Sequence, residues 1–275
     1  WGTGPGEVGL EDVGPNLSPI GGSSFDVSPD GVVHVLDQAN RRLLRWKVGA
    51  ASPEHVPLAI SGTLADMSVA HDGTVYVLET ASVDRNAALL RTFEASGAER
   101  GAIELAERAS QVRVGPTGAV VFSTTSGQWM AAADKGRGLG PSAQRDTGRS
   151  GRPLVGGREV VVFRDGNEVR AALIGPGPFR RAWRVLSGTS LAEVQLAEPL
   201  GNRLVVVVRT YTDHADEFVV LVLGPQGIER RFALDSADWV ETAPLSRFRL
   251  VETSLYQLGS TPKGLFVDRI DLEVK

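Results

Sequence analysis

The densest group of reactive side chains lies in TYTDHADEF, residues 210–218, where Asp213, His214, Asp216 and Glu217 bring three carboxylates and an imidazole together. Hard oxygen donors with an imidazole suit a divalent cation, and such a cation would need further ligands from another part of the chain. The same run also fits a solvated loop between two strands, because loops collect charge. A second concentration, FRRAWR at 179–184, sets Arg180, Arg181 and Arg184 beside Phe179 and Trp183. Arginine next to aromatic rings can stack on bases or hold an anionic polymer. As a strand, however, the run would put Arg181 and Trp183 on one face and Arg180, Ala182 and Arg184 on the other. The arginines then read as solvated and Trp183 as a packing residue. Of the other histidines, His34 alternates with Val33 and Val35 like a packed strand residue, His71 sits in an Ala-His-Asp-Gly turn, and His55 falls in an irregular connection.

Motifs that would announce a reaction are absent: no G-x-S-x-G elbow, P-loop, H-E-x-x-H or EF-hand loop. Cysteine is also absent, which rules out a disulfide framework and a thiolate-held metal. The formal charge of −4 provides no basic field, so nucleic acid is a disfavoured partner. No apolar run is long enough to span a membrane as a helix. The chain opens on Trp1 with no leader, and arginine far outnumbers lysine. Both features give the expectation of a processed or trimmed bacterial protein, extracytoplasmic in preference to cytoplasmic.

The elements that must position these residues follow from a repeat. Residues 24–37 read SFDVSPDGVVHVLD, 66–79 read DMSVAHDGTVYVLE, and 111–124 read QVRVGPTGAVVFST. Their turn glycines, Gly31, Gly73 and Gly118, recur at about 42 and then about 45 residues, the spacing of propeller blades. Worn copies follow at 153–173, 194–224 and 248–274. Each run alternates with period two and is rich in Val, Leu, Phe and Tyr, which suit a pleated surface. Each turn carries Asp-Gly, Gly-Gly, Gly-Asn or Thr-Gly, which tolerate φ > 0. A lone four-stranded sheet would expose its faces and edges, whereas radial stacking buries them. The fold expected is a six-bladed all-β propeller of four-stranded antiparallel blades in one domain, 1–275. The blades fall at roughly 18–62, 63–109, 110–152, 153–193, 194–242 and 243–275 plus 1–12. The N-terminal WGTGPGEVGL is expected to supply the last blade's missing strand and so close the ring.

Residues 37–46, DQANRRLLRW, resemble the signature of the NHL-repeat family of propellers, with Asp37, Asn40, Arg42, Leu43 and Trp46 at matching positions. The likeness is close in this one unit; in the second, Glu79 replaces the Asp. It implies a six-bladed propeller serving as a binding platform, a sensor module, an RNA binder or the core of a lactonase-like or lyase-like enzyme. The enzymes of this group hold a cation at the top of the central channel. By that resemblance Asp26, Asp66 and His214 are candidate metal ligands, Gln111 joins Asp26 and Asp66 as a residue that could line the channel, and calcium is a candidate ion.

The leading expectation is a non-catalytic ligand- or protein-binding propeller, monomeric or a module of a larger protein, needing no cofactor. Its ligand would be a protein, a small molecule or an envelope polymer on the top face. The alternative is a metal-assisted lactonase-like or lyase-like enzyme. Loops after the second strand of each blade are where binding residues belong: Gln38, Asn40 and Arg41 in the first, Asp84, Arg85 and Asn86 in the second, Asp213, His214 and Asp216 in the fifth. Asp37 and Arg42 read as structural, the first capping its turn and the second tying neighbouring loops.

Overall fold

The computed structural model describes residues 1–80, 87–134, 137–140, 143–144, 151–176, 180–186, 190–211, 216–235 and 239–272. Six antiparallel sheets follow one another along the chain. Blade 1 holds β1 (Gly22–Val27), β2 (Val33–Asp37), β3 (Arg42–Trp46) and β4 (Glu54–Pro57). Blade 2 holds β5 (Leu64–Val69), β6 (Val75–Glu79), β7 (Leu89–Phe93) and β8 (Glu99–Glu104). Blade 3 holds β9 (Ala109–Val114), β10 (Val120–Thr124), β11 (Trp129–Asp134) and β12 (Arg137–Gly138). Blade 4 holds β13 (Arg152–Pro153), β14 (Glu159–Asp165), β15 (Glu168–Ile174) and β16 (Arg180–Leu186). Blade 5 holds β17 (Ser190–Leu200), β18 (Arg203–Tyr211), β19 (Asp216–Gly224) and β20 (Gly227–Asp235), and blade 6 holds β21 (Phe248–Val251), β22 (Ser254–Thr261) and β23 (Gly264–Asp271). The chain is a six-bladed β-propeller. Among the described residues the only helical element is a 3-10 turn at Val155–Gly157, and none is long and apolar enough to cross a membrane.

Stacking explains why the middle strands are apolar on both faces. In β18, Val206 and Val208 pack with blade 4 while Val205 and Val207 pack with blade 6. In β2, Val35 faces blade 6 and Leu36 faces blade 2. Period-two alternation thus becomes a choice between neighbours, as befits a sheet covered on both sides. The turn that marks the repeat has one geometry in three blades. Gly31, Gly73 and Gly118 sit at φ of 82°, 82° and 77°. Their N–H groups donate to Ser28, Ala70 and Gly115 carbonyls at 2.8, 2.9 and 2.9 Å. A side chain at that φ would be strained, which is why glycine recurs.

Closure differs in detail from the expected form. The last sheet has three strands, and residues 1–9 form a docked loop in place of a fourth. Gly2 N–H donates to Val8 O at 2.9 Å, folding the segment on itself. The carbonyls of Gly2, Thr3, Gly4 and Glu7 are then taken by Asn40 and Arg42 of blade 1. The Gly2 and Gly4 N–H groups are likewise used within the loop, on Val8 O and Glu7 Oε2, so the donors a sheet edge would need at these positions are committed elsewhere. The two ends still meet: Trp1 Nε1 donates to Thr261 O at 3.0 Å, and its ring packs against the apolar cluster between blades 6 and 1.

Apolar clusters fill five junctions: blades 1–2, 2–3, 4–5, 5–6 and 6–1. Among the described residues none joins blade 3 to blade 4. The innermost strand of blade 4 is only the pair Arg152–Pro153, so little sheet is present there to press on β9.

Candidate functional site

Antiparallel order fixes which loops share a rim. The innermost strand of each blade begins on the rim where the second and third strands are joined, so Gln38–Arg41, Thr125–Gln128 and the start of β17 open on one face. That face surrounds the mouth of the central channel. A register shift just before Ser24, Asp66 and Gln111 marks a bulge in β1, β5 and β9. Bulges re-aim the side chains that follow them.

Inside the channel the charged groups form one network. Arg249 of β21 donates from Nε to Asp26 Oδ1 at 3.1 Å and from Nη2 to Asp66 Oδ1 at 3.2 Å. Arg113 of β9 donates to Asp66 Oδ2 at 2.9 Å and to Ser246 Oγ at 3.3 Å. Ser24 Oγ donates to Asp66 Oδ1 at 2.6 Å, and Val112 N–H to its Oδ2 at 3.0 Å. Asp26 Oδ2 accepts from Ser68 Oγ at 3.1 Å and Val69 N–H at 2.8 Å. Both carboxylates are thereby saturated with protein donors, and four blades are tied across the axis.

Electrostatics follow from that packing. Burial pushes the fully enclosed Asp66 carboxyl up, but Arg113, Arg249, the Ser24 hydroxyl and the Val112 N–H outweigh it and hold it below the usual carboxylate range. Burial pulls the Arg113 guanidinium down, with Arg249 repelling it and Asp66 opposing the fall. Among the described residues no three His, Cys, Asp or Glu side chains gather as a metal site would require.

The other candidates named from the residue pattern separate. Gln38 is buried and its Oε1 accepts the Leu64 N–H at 2.8 Å, joining blade 1 to blade 2. Asn40 holds Gly2 O at 2.9 Å and Asp37 Oδ2 at 2.8 Å, and Arg41 donates to Gly62 O at 2.9 Å from a left-handed backbone of φ 54°. These three are engaged internally. Asp84, Arg85, Asn86, Asp213 and His214 lie outside the described residues, as does Phe179; Asp216 starts β19 opposite Tyr211. Asp37 and Arg42 act structurally: Asp37 caps its turn at Asn40 N–H and accepts Gly9 N–H and Arg42 Nε. Trp183 packs at the blade 4–5 junction with Nε1 on Gly224 O at 2.8 Å, and Arg184 pairs with Glu168.

Beside the network, at the junction lacking an apolar cluster, a crevice of about 380 Å³ opens between blades 3, 4 and 5. Blade 3 contributes Ser110, Gln111, Arg113, Ser123, Thr124 and Trp129, blade 4 Arg152, Val160 and Val162, and blade 5 Gln195, Leu196 and Glu198. Arg152 pairs with Glu198, also donates to Ala197 O at 3.3 Å, and stands 6.0 Å from the Trp129 ring centre. Of these, only Gln111 stands out in the sequence as a candidate. Arg249 was findable: aligning FRLV at 248–251 with FDVS at 25–28 puts it in the slot of Asp26, which is an opposite charge at an equivalent axial position. Trp129, Arg152 and Gln195 carried no such signal.

No protein-family model and no curated protein matches the chain. Among solved structures it is similar to virginiamycin B lyase from Staphylococcus aureus, at 13% identity over 92% of this chain and 85% of that one, with a TM-score of 0.48. It is also similar to a protein of unknown function from Bacteroides caccae, at 12% identity over 78% and 82% with a TM-score of 0.47. A structure of a nidogen/laminin complex gives 14% identity over 76% and 78% and a TM-score of 0.44. The six sheets and their order establish the ring independently of these likenesses.

Proposed function

We propose that this propeller is a non-catalytic binding module of an exported bacterial protein, monomeric or part of a larger chain, that holds its ligand on the face where the channel opens. The observation that carries this reading is the saturation of Asp26 and Asp66 by Arg249, Arg113, Ser24 and Ser68. A carboxylate already paired with guanidinium is a poor cation ligand, because binding the ion would leave a buried arginine unpaired. The DQANRRLLRW signature supports an NHL-like assignment for blade 1, in which the signature residues anchor the N-terminal loop.

The test is the thermal-unfolding midpoint in EDTA and then with Ca²⁺, Mg²⁺, Zn²⁺ or Mn²⁺ added, alongside turnover of simple lactones. A cation at about 100 times its Kd adds about 2.7 kcal/mol to the folded state, a shift easily seen. We expect no shift and no turnover. A shift with one cation that disappears in Asp26→Asn would overturn the reading in favour of metal-assisted lactonase-like or lyase-like chemistry.

A further inference from the structure

We infer that the crevice between blades 3, 4 and 5 binds a neutral saccharide, free or as the end of a polymer. The inference rests on the binding-module reading and names the ligand class of that module. Its starting point is the one junction without an apolar cluster among the described residues, where about 380 Å³ of space is bounded by polar groups. That volume is at the small end for ligand sites, which suits one or two sugar units.

The wall chemistry selects the class. Ser110, Ser123, Thr124, Thr125 and Gln111 offer hydroxyl and amide groups that both donate and accept. Val160, Val162, Leu196 and the half-buried Trp129 ring supply an apolar side. A sugar presents the same pairing, a rim of hydroxyls around an apolar C–H face, and aromatic rings receive such faces well.

Gln195 discriminates further. Its Nε2 donates to Glu193 Oε1 at 2.5 Å, and because a carboxylate only accepts, this contact fixes which way the amide points. The opposite atom, Oε1, is buried without a hydrogen-bond partner. That oxygen is closed off as the chain stands, so a ligand pairs with it only when the Gln195 side chain turns toward the crevice it lines, and a ligand that then satisfies it must bring a donor. A phosphate or carboxylate brings only acceptors; a hydroxyl brings a donor. The charges agree, since among the described lining residues Arg152 is paired with Glu198 and Arg113 with Asp66, leaving no unmatched charge among them to recruit an ion.

The experiment measures the thermal midpoint and calorimetric binding of glucose, N-acetylglucosamine, cellotriose, maltotriose, mannotriose and chitotriose, with trigalacturonate and a heparin fragment as charged controls. Monosaccharides against trimers distinguish a free sugar from a polymer end. At least one neutral sugar is expected to bind. Gln195→Leu should leave the unliganded midpoint unchanged or raised, and should weaken that sugar by about tenfold, the size of one hydrogen bond. Trp129→Ala should abolish binding; if it does not fold, Thr125→Val at the exposed rim is used, with weaker binding expected. Binding by no neutral sugar, binding only by the charged controls, or equal binding by wild type and Gln195→Leu would each overturn the inference. A midpoint rise shared equally by the variants is osmolyte exclusion and counts against it too. None of these failures bears on the metal titration, which tests the absence of catalysis separately.

Discussion

His34 gives the sharpest test of the packing. It lies in β2 directly opposite Asp26 on β1 and Arg45 on β3. The residue is 5% exposed, its Nε2 lies 3.2 Å from Ser28 Oγ, and its Nδ1 is buried without a partner. Burial, reinforced by the Arg45 guanidinium and opposed by Asp26 and Asp30, pulls its pKa from 6.5 to about 4. Between those values the unfolded chain binds a proton that the folded chain refuses, so stability falls as pH falls. The contribution is complete above the unfolded value and is lost on the way down to the folded one. At about 1.4 kcal/mol per pH unit the gap amounts to a loss of about 3 kcal/mol at the bottom of the window. Urea unfolding followed by tryptophan fluorescence, from about pH 7.5 to about pH 4.5, measures it. The comparison is His34→Tyr, because Tyr76 fills the equivalent position of blade 2 at 4% exposure. Any repacking cost of the larger ring is constant with pH, so the slope is the readout. The variant should lose most of the acid slope. Equal slopes in the two proteins, or a His34 pKa near 6.5 by NMR, would refute the argument.

Three further outcomes follow from the same contacts. Asp66→Ala unpairs Arg113 and leaves Arg249 with Asp26 alone, and should cost about 3–5 kcal/mol in urea unfolding. Glu241, held up by burial against the Ser260 hydroxyl 2.5 Å away, contributes stability below the ordinary carboxylate range that is lost as pH rises through its raised pKa. Glu241→Gln should therefore raise the thermal midpoint at neutral pH and change it little near about pH 4. Trp1→Ala removes the latch between the chain ends; for a half-buried ring the loss should be about 2 kcal/mol, with faster amide exchange concentrated in β22 and β23.

The sequence alone determined what is local and repeated. Period-two runs specify strands, and Asp-Gly or Thr-Gly at fixed spacing specifies the turn found at Gly31, Gly73 and Gly118. The amphipathic logic of a blade with two covered faces then specifies a ring. Even the structural roles of Asp37 and Arg42 were legible, because a carboxylate capping its own turn acts within a few residues. The N-terminal segment was assigned to the right junction but in the wrong form. Which partner takes its carbonyls depends on Asn40 and Arg42, some 40 positions away. The site was decided by tertiary structure. Arg249 meets Asp26 and Asp66 across separations of 223 and 183 residues. No spacing rule reports such an approach, so two carboxylates that look free in the sequence are paired in the fold. The crevice is likewise a property of six blades closing at once. Among the described residues, five junctions are filled with apolar side chains, and the sixth has only Arg152–Pro153 as the inner strand of blade 4, with a polar gap beside the axis.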